Sequence, residues 1–453
     1  MFKKIEIWIL YLIVLLGIPL TIGFGFLVRQ ELVGSAKFGG FSKIALFLSE
    51  IPVQIKLIAS GRNDGLSVDD RFPMLDGFTG IPNSNESYLL LSRYNGDISE
   101  GIVELIDLTN FKVLHTWNPD IDKFNKSVRK VGDFKYIERD HNNRRTLLEH
   151  PKLIAGGGLS FNSSPLRVID GCSDLTFQND DKYFHHSIET DIEGNTWVPS
   201  NIYPQTLPEK IVGRDVTDEG GTYEDGITKL SPSGEILFQR SLTQIFIDNH
   251  LENQLFGYGH HYMRDPLHLN DIQPVDFDGE YWKKGDVFLS LRNQSTIALY
   301  RPSTNKIIWN LKGPFFNQHD VDILDDHRIS IFNNRMQKSY NEKLNVDGNN
   351  EVIIYNFKTG QYSLYLNDSL IKNDVRTKNG GLSEILPNGD LFIEESNYAR
   401  TLYFNSDGSL RWTHVNRAGN GIVYRVGWSR ILHTDKDIKI TKNFLKSRGK
   451  CDE

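Results

Sequence analysis

The sequence predicts an all-β chain, a six-bladed β-propeller preceded by one N-terminal transmembrane helix. Three observations predict it. One apolar run of membrane-spanning length stands between Ile5 and Val28. From about Asp76 onward the chain is a series of short β-type runs broken by Gly, Asn, Asp and Pro, with almost no helical periodicity. One four-strand pattern recurs there at a spacing of roughly fifty residues, the period of a propeller blade.

The apolar run IEIWILYLIVLLGIPLTIGFGFLV is interrupted only by Glu6 and Thr21, and it is long enough to cross a hydrocarbon core of about 30 Å. Lys3 and Lys4 precede it, which favours an internal N-terminus and export of the remainder. No small-x-small cleavage site closes the run, so residues 1–28 are expected to stay as an uncleaved signal anchor. The bulk of the chain is then held at the membrane on its periplasmic or extracytoplasmic side. A linker at 29–75 follows. Within it Phe41, Ile44, Ala45, Leu48 and Ile51 fall at helical spacing, and Pro52 is expected to stop that short amphipathic helix.

The repeat is clearest as YLLLSR, IVELIDLTN, KVLHTW at 88–117 and as DVFLSLR, TIALYRPSTN, KIIWNL at 286–311. It returns at 328–366 and 390–414, and more loosely near 152–178 and 195–240. The turn between third and fourth strands reads LTN, PSTN, KTG, SDG or PSG, which is hairpin chemistry. A pair of β-sandwiches would not repeat one turn type so regularly. The propeller is placed at 76–435, with a charged, peripheral tail at 436–453. Insertions at 118–145, basic and asparagine-rich, and at 241–266, around FGYGHHY, are expected to project from one face and frame a binding site.

Composition narrows the chemistry. A net charge of −7 argues against nucleic acid as a partner. Two cysteines, Cys172 and Cys451, exclude a disulfide framework or zinc ribbon and allow one bridge. Entry runs of successive blades then align: HHSIETDIEGN at 185–195, HLNDIQPV at 268–275 and HDVDILDDH at 319–327. Each sets a histidine just ahead of a strand with Ile or Val at alternating positions, and the match selects His186 over His185. First strands of blades line the central channel, so His186, His268 and His319 are expected to meet at one end of it. Arg292 ends the second strand of its blade and belongs on the same face, as do Arg93 and Arg335 in theirs.

Three clustered imidazoles alone would suit zinc or copper. A fixed guanidinium among them repels a divalent cation and favours an oxyanion, so no metal and no cofactor is expected. Histidine can attack a phosphoryl or sulfuryl centre and can move protons near neutral pH.

With these residues in place the chain resembles the bacterial arylsulfate sulfotransferases, exported six-bladed propeller enzymes. The resemblance covers most of 76–415. It is sharpest in His268-Leu-Asn270-Asp-Ile272 with Ser290-Leu-Arg292, in Gln318-His319 with Phe332-Asn333-Asn334, and in His185-His186 with Glu193-Gly194-Asn195. It implies a PAPS-independent, ping-pong transfer of a sulfuryl group from an aryl sulfate ester to a phenol through a sulfohistidine. By motif, His319 would be the nucleophile. His268, Asn270 and Arg292 would hold the sulfate oxygens, and His186 would handle the phenol proton. His185 and Asn334 join the substrate-binding set on the same ground. The chain departs from the family in three respects: the segment before the first blade is too short for the N-terminal β-sandwich of the best-known members, no family disulfide has an obvious equivalent, and Phe-Asp-Asn-Gly becomes Phe-Asn-Asn-Arg. A homo-oligomer is compatible with the sequence. Two other readings remain open, a non-catalytic propeller scaffold at the cell surface and a quinoprotein-like dehydrogenase. The latter lacks its tryptophan-docking repeat and vicinal cysteines.

Overall fold

A computed structural model describes residues 6–32, 38–60, 66–203, 205–208, 224–257, 262–263, 265–338 and 344–447. The chain divides into two compact units, 1–65 and 66–453. In the first, a helix at Ile7–Leu32 contains a 24-residue apolar stretch, Ile7–Gln30, long enough to cross a membrane. A second helix spans Gly39–Ser60 and runs through Pro52. The expectation that Pro52 ends it is wrong. Proline removes a single donor from the ladder, and its fixed φ is itself helical, so a continuous apolar helix can tolerate it.

The second unit is the six-bladed propeller, with strands antiparallel within every blade. Blade 2 takes Glu149–Leu153, Leu159–Asn162, Leu166–Ile169 and Leu175–Asn179. Blade 3 takes Glu189–Thr190, Thr196–Asn201, Asp225–Leu230 and Ile236–Ser241. Blade 4 takes Leu269–Pro274, Val287–Leu291, Thr296–Arg301 and Lys306–Lys312. Blade 5 takes Val321–Ile323, Arg328–Asn333, Glu351–Asn356 and Gln361–Leu364, and carries an extra hairpin, Met336–Lys338 with Leu344–Val346.

Both ends of the propeller chain help close the ring. Blade 1 is Tyr88–Asn95, Glu100–Asp107 and Lys112–Trp117, and its innermost strand, Arg430–Leu432, comes from the far end of the sequence. Blade 6, Leu382–Ile385, Leu391–Glu395, Arg400–Phe404 and Leu410–Val415, gains a fifth, outer strand from Gly77–Gly80. Apolar residues of facing sheets fill the space between blades. Phe288, Ile297 and Leu299 of blade 4, for example, pack with Val321, Ile329 and Ile331 of blade 5, all fully buried.

A circle of polar ties joins neighbouring blades near the channel. His150 Nδ1 accepts the Ile188 N–H at 3.0 Å, and Ser187 Oγ accepts the Ile272 N–H at 3.2 Å. Asp271 accepts from Val321 N at 3.1 Å, and Asp320 from Ser383 N at 3.0 Å. Glu394 accepts from Trp428 N and Ser429 N, both at 2.7 Å, and Ser92 Oγ donates to Leu148 O at 2.5 Å. Each tie satisfies a backbone group that would otherwise be buried unpaired.

Two of these ties are strained electrostatically. Burial and then the charge of Glu189 push Asp271 up to about 7. Burial and then Asp271 hold Asp320 well above the ordinary carboxyl range. A carboxyl raised on folding stabilises the fold below its ordinary value near 4, and that contribution is lost as pH rises through the raised value. Asp320→Asn keeps an acceptor for the Ser383 N–H and removes the charge. Between about pH 5 and about pH 9 the unfolding temperature of the variant is expected to fall less than that of the parent. Parallel thermal melts at the two pH values check this, and equal slopes would contradict it.

The C-terminal segment is not peripheral. A helix at Asp435–Ser447 buries Phe444, which stacks on Trp117 with ring centroids 5.5 Å apart. A side chain at Gly157 would collide with that ring, its Cβ lying 1.8 Å from Phe444 Cδ2. Charge in the tail hid one apolar stripe. Cys172, in the last turn of blade 2, is disulfide-bonded; the only other cysteine, Cys451, lies outside the described residues. Part of the FGYGHHY insertion, 258–261, also lies outside them.

Candidate active site

Antiparallel pairing decides which side chains share the channel mouth. Leu269 opens the first strand of blade 4 and pairs with Leu291 at the close of the second. His268 and Arg292 are therefore adjacent, and the Arg292 N–H donates to the His268 carbonyl at 3.0 Å. In blade 5 the same relation sets His319 beside Asn334. Blade 3 delivers His185 and His186 immediately before its short first strand.

The structure brings His185, His186, His268, His319, Asn270, Arg292 and Asn334 to one mouth. Rings of His186 and His268 lie 5.1 Å apart edge to face. Trp428 sits among them, 6.2 Å from His186 and 6.3 Å from His319 by ring centroids. Its place was hidden in the sequence, because the strand it introduces completes the first blade from the other end of the chain. The run Trp428-Ser429-Arg430-Ile431 parallels His186-Ser187-Ile188 and could have been read as a sixth entry.

The ties correct the alignment of blade entries. In blades 3, 4 and 5 the tying residue is Ser187, Asp271 or Asp320, and the residue just before it is His186, Asn270 or His319. Asn270, not His268, is thus the counterpart of the other two histidines. A β-bulge between Leu269 and Asp271 carries His268 into the mouth from one step further out. His150 sits in a tying position itself, so that histidine is structural. The general argument that blade histidines join blades holds for His150, and His319 too accepts a backbone N–H from the segment entering the next blade, that of Gly380.

Hydrogen bonds define the protonation pattern. His319 Nδ1 lies 2.7 Å from Asn334 Oδ1 and 3.2 Å from Asn317 O, two acceptors, so Nδ1 carries the proton. Its Nε2 lone pair then accepts the Gly380 N–H at 2.8 Å. Burial, then Arg292, hold His319 down at about 3. Asn334 donates both amide hydrogens, to Gly380 O at 2.9 Å and Thr377 O at 3.3 Å, and is fully buried. Its amide oxygen orients His319, and its two hydrogens go to backbone carbonyls.

His186 and His185 form a chain of their own. Their Nδ1 atoms are 2.8 Å apart, and His185 Nε2 reaches toward Asp225 Oδ1 at 3.4 Å. With Nε2 of His185 protonated toward Asp225, His186 donates its Nδ1–H and keeps a lone pair on Nε2. Burial holds His186 well below the ordinary histidine range, and the neighbouring His185, His268, His319 and Arg292 add to this. His268 Nδ1 is 2.5 Å from Asp265 Oδ2, which fixes the ring.

Three buried polar atoms here have no hydrogen-bond partner among the described residues: His268 Nε2, Asn270 Oδ1 and Gln318 Oε1. Asn270 and Gln318 are fully buried. Arg93 and Arg335 are neutralised, the first by Glu104 at 2.8 Å and the second by Glu351 and Asp347 at 3.0 Å. Arg292 differs. Among the described residues no carboxylate lies within ion-pairing distance of it, and its Nε donates only to Asn293 Oδ1 at 3.2 Å. Burial lowers its pKa, with Asp265 and Asp225 opposing. An unpaired guanidinium beside neutral imidazoles is a receptor for an anion. Among the described residues, one set of three donors is close enough to share a cation, the half-buried Asp325 and His327 with the exposed Asp326, outside this mouth.

Comparison with curated proteins gives no match. Solved structures with similar folds include a protein of unknown function from Bacteroides caccae (TM-score 0.42, 12% identity, covering 73% of this chain and 94% of that one). Hydrazine synthase of Kuenenia stuttgartiensis (0.39, 13%, 76% and 80%) and virginiamycin B lyase from Staphylococcus aureus (0.33, 11%, 64% and 82%) are others. At such values they carry no chemistry across. A family model described as arylsulfotransferase (ASST) matches residues 161–417, more than half of the 453-residue chain and all of blades 3 to 5. The chain belongs to the arylsulfotransferase family.

Proposed function

We propose that the propeller moves a sulfuryl group from an aryl sulfate ester to a phenol, in two steps, through a sulfohistidine at His319. The observation that carries this reading is the state of His319: a neutral imidazole with its proton fixed on Nδ1 and its Nε2 lone pair in a mouth shared with the unpaired Arg292. In the first step Nε2 forms a bond to sulfur while the sulfur–oxygen bond to the aryl group breaks, and the phenolate leaves. The Nδ1–H bonds to Asn334 and Asn317 O stabilise the positive charge that develops on the ring. The Gly380 N–H, released from Nε2, can then donate to a sulfuryl oxygen, alongside Arg292. In the second step His186 Nε2 takes the proton of the incoming phenol, whose oxygen attacks sulfur and displaces His319. His186, held neutral, passes that proton to solvent, where the phenolate released in the first step takes it up, so the cycle balances. Because His186 is held neutral, donors with acidic phenols, which leave without protonation, suit the first step.

The N-terminal helix would anchor the chain, with the propeller on the extracytoplasmic side. The test supplies the purified protein with an aryl sulfate and a phenol and follows both products. Release of the donor phenol in parallel with formation of the acceptor sulfate supports the reading. Binding without turnover for any donor would favour a scaffold instead.

A further inference from the structure

A second cavity, of about 200 Å³, shares His185 with the site. Blade 2 and the 118–145 insertion build most of its wall, which includes Arg145, Thr146 and Glu149, and Arg425 closes it from the segment leading into the innermost strand of blade 1. Glu149 directly precedes the tying residue His150, so it occupies in blade 2 the place that His186, Asn270 and His319 hold in theirs. The cavity is thus a continuation of the same circle of positions.

Two of its polar atoms, Thr146 Oγ1 and Arg425 Nε, are buried and have no hydrogen-bond partner among the described residues. Thr146 is only 3% exposed. Among the described residues no carboxylate lies within ion-pairing distance of either Arg425 or Arg145, and the one contact of the Arg145 guanidinium is to Arg139 O at 3.2 Å. Glu149 is the only acid on the wall, and burial raises its pKa, against Arg425. Two arginines against one carboxyl that burial keeps toward its neutral form leave the space cationic. A buried guanidinium Nε and a buried hydroxyl without partners are costly unless a ligand completes them.

We propose that this cavity receives the aryl end of the substrate and selects phenols carrying a carboxylate, gripped by Arg425 and the Thr146 hydroxyl. The assignment rests on the aryl sulfate reading above for its phenol, while the anion preference stands on the cavity alone. His185 belongs both to the site and to this cavity's wall, so a ring bound against it can present a far substituent to the cavity that Arg425 lines.

Calorimetric titration of the full chain with phenol, 4-hydroxyphenylacetate and tyramine tests this. The carboxylate compound is expected to bind about tenfold or more tightly than phenol. Arg425→Gln should abolish that advantage and leave phenol affinity unchanged, and Arg425→Lys, which guards against a folding defect, should retain part of it. Equal affinities, tighter binding of tyramine, or an advantage that survives Arg425→Gln would overturn the assignment. Binding needs no turnover, so the two readings separate. A carboxylate preference in a protein that transfers nothing would sink the sulfuryl-transfer reading alone, and transfer without the preference would sink this one alone.

Discussion

His319→Ala is expected to abolish sulfuryl transfer, with a loss on the order of 10³-fold or more and no covalent adduct after exposure to donor. The Nδ1 proton of His319 is committed to Asn334 Oδ1 and Asn317 O, so only Nε2 can attack. Intact-mass spectrometry of wild type after a pulse of donor, without acceptor, should find a sulfuryl group on His319. In His319→Ala the adduct should be missing. A variant that still transfers at a comparable rate would remove the sulfohistidine step. Asn334→Ala offers a graded comparison, since it leaves the nucleophile and frees the ring to turn.

The same ring predicts a pH dependence. Held at about 3 by burial and Arg292, His319 stays neutral through the mildly acidic range. A histidine lowered on folding stabilises the protein above its ordinary value of about 6.5, and the contribution is lost as pH falls toward the lowered value. The acid limb of the transfer rate is therefore expected below the usual histidine range, set by His319 and His186 together. In His319→Ala, acid destabilisation should be shallower than in the parent.

Legibility of the fold followed from local chemistry. Turn residues at fixed spacing and alternating apolar strands require no knowledge of distant partners, and they exposed the blades as repeats. Closure was harder. The strand Arg430–Leu432 is only three residues long and gains its meaning from Tyr88–Asn95 at the other end of the chain. Trp428 was lost with it. The register at the site failed for a related reason: a bulge moves His268 relative to Asn270, and a bulge has no reliable signature in a single strand. Gly380 contributes a backbone N–H, which no residue pattern advertises. The Phe444 stripe was masked by surrounding lysines. What sequence could see was residue type in a repeat; what it could not see was which backbone groups the fold would aim.

Arg292 carries the second large effect. Replacing it with alanine is expected to lower kcat by about 10²–10³-fold, the cost of removing one donor aimed at developing charge. Arg93 and Arg335 sit at the ends of equivalent strands and are paired with carboxylates, so they are controls: alanine there should affect stability more than transfer. Arg292→Lys restores the charge without the fork and should recover only part of the rate. A structural role for Arg292 would give the same loss of rate, and the pH profile separates the two. The guanidinium depresses both His319 and His186. Its removal should raise their pKa values and move the acid limb of the remaining activity to higher pH. An Arg292→Ala profile superimposable on wild type would mean that the cation does not face the reacting histidines, and the anion site would then have to be sought elsewhere in the mouth.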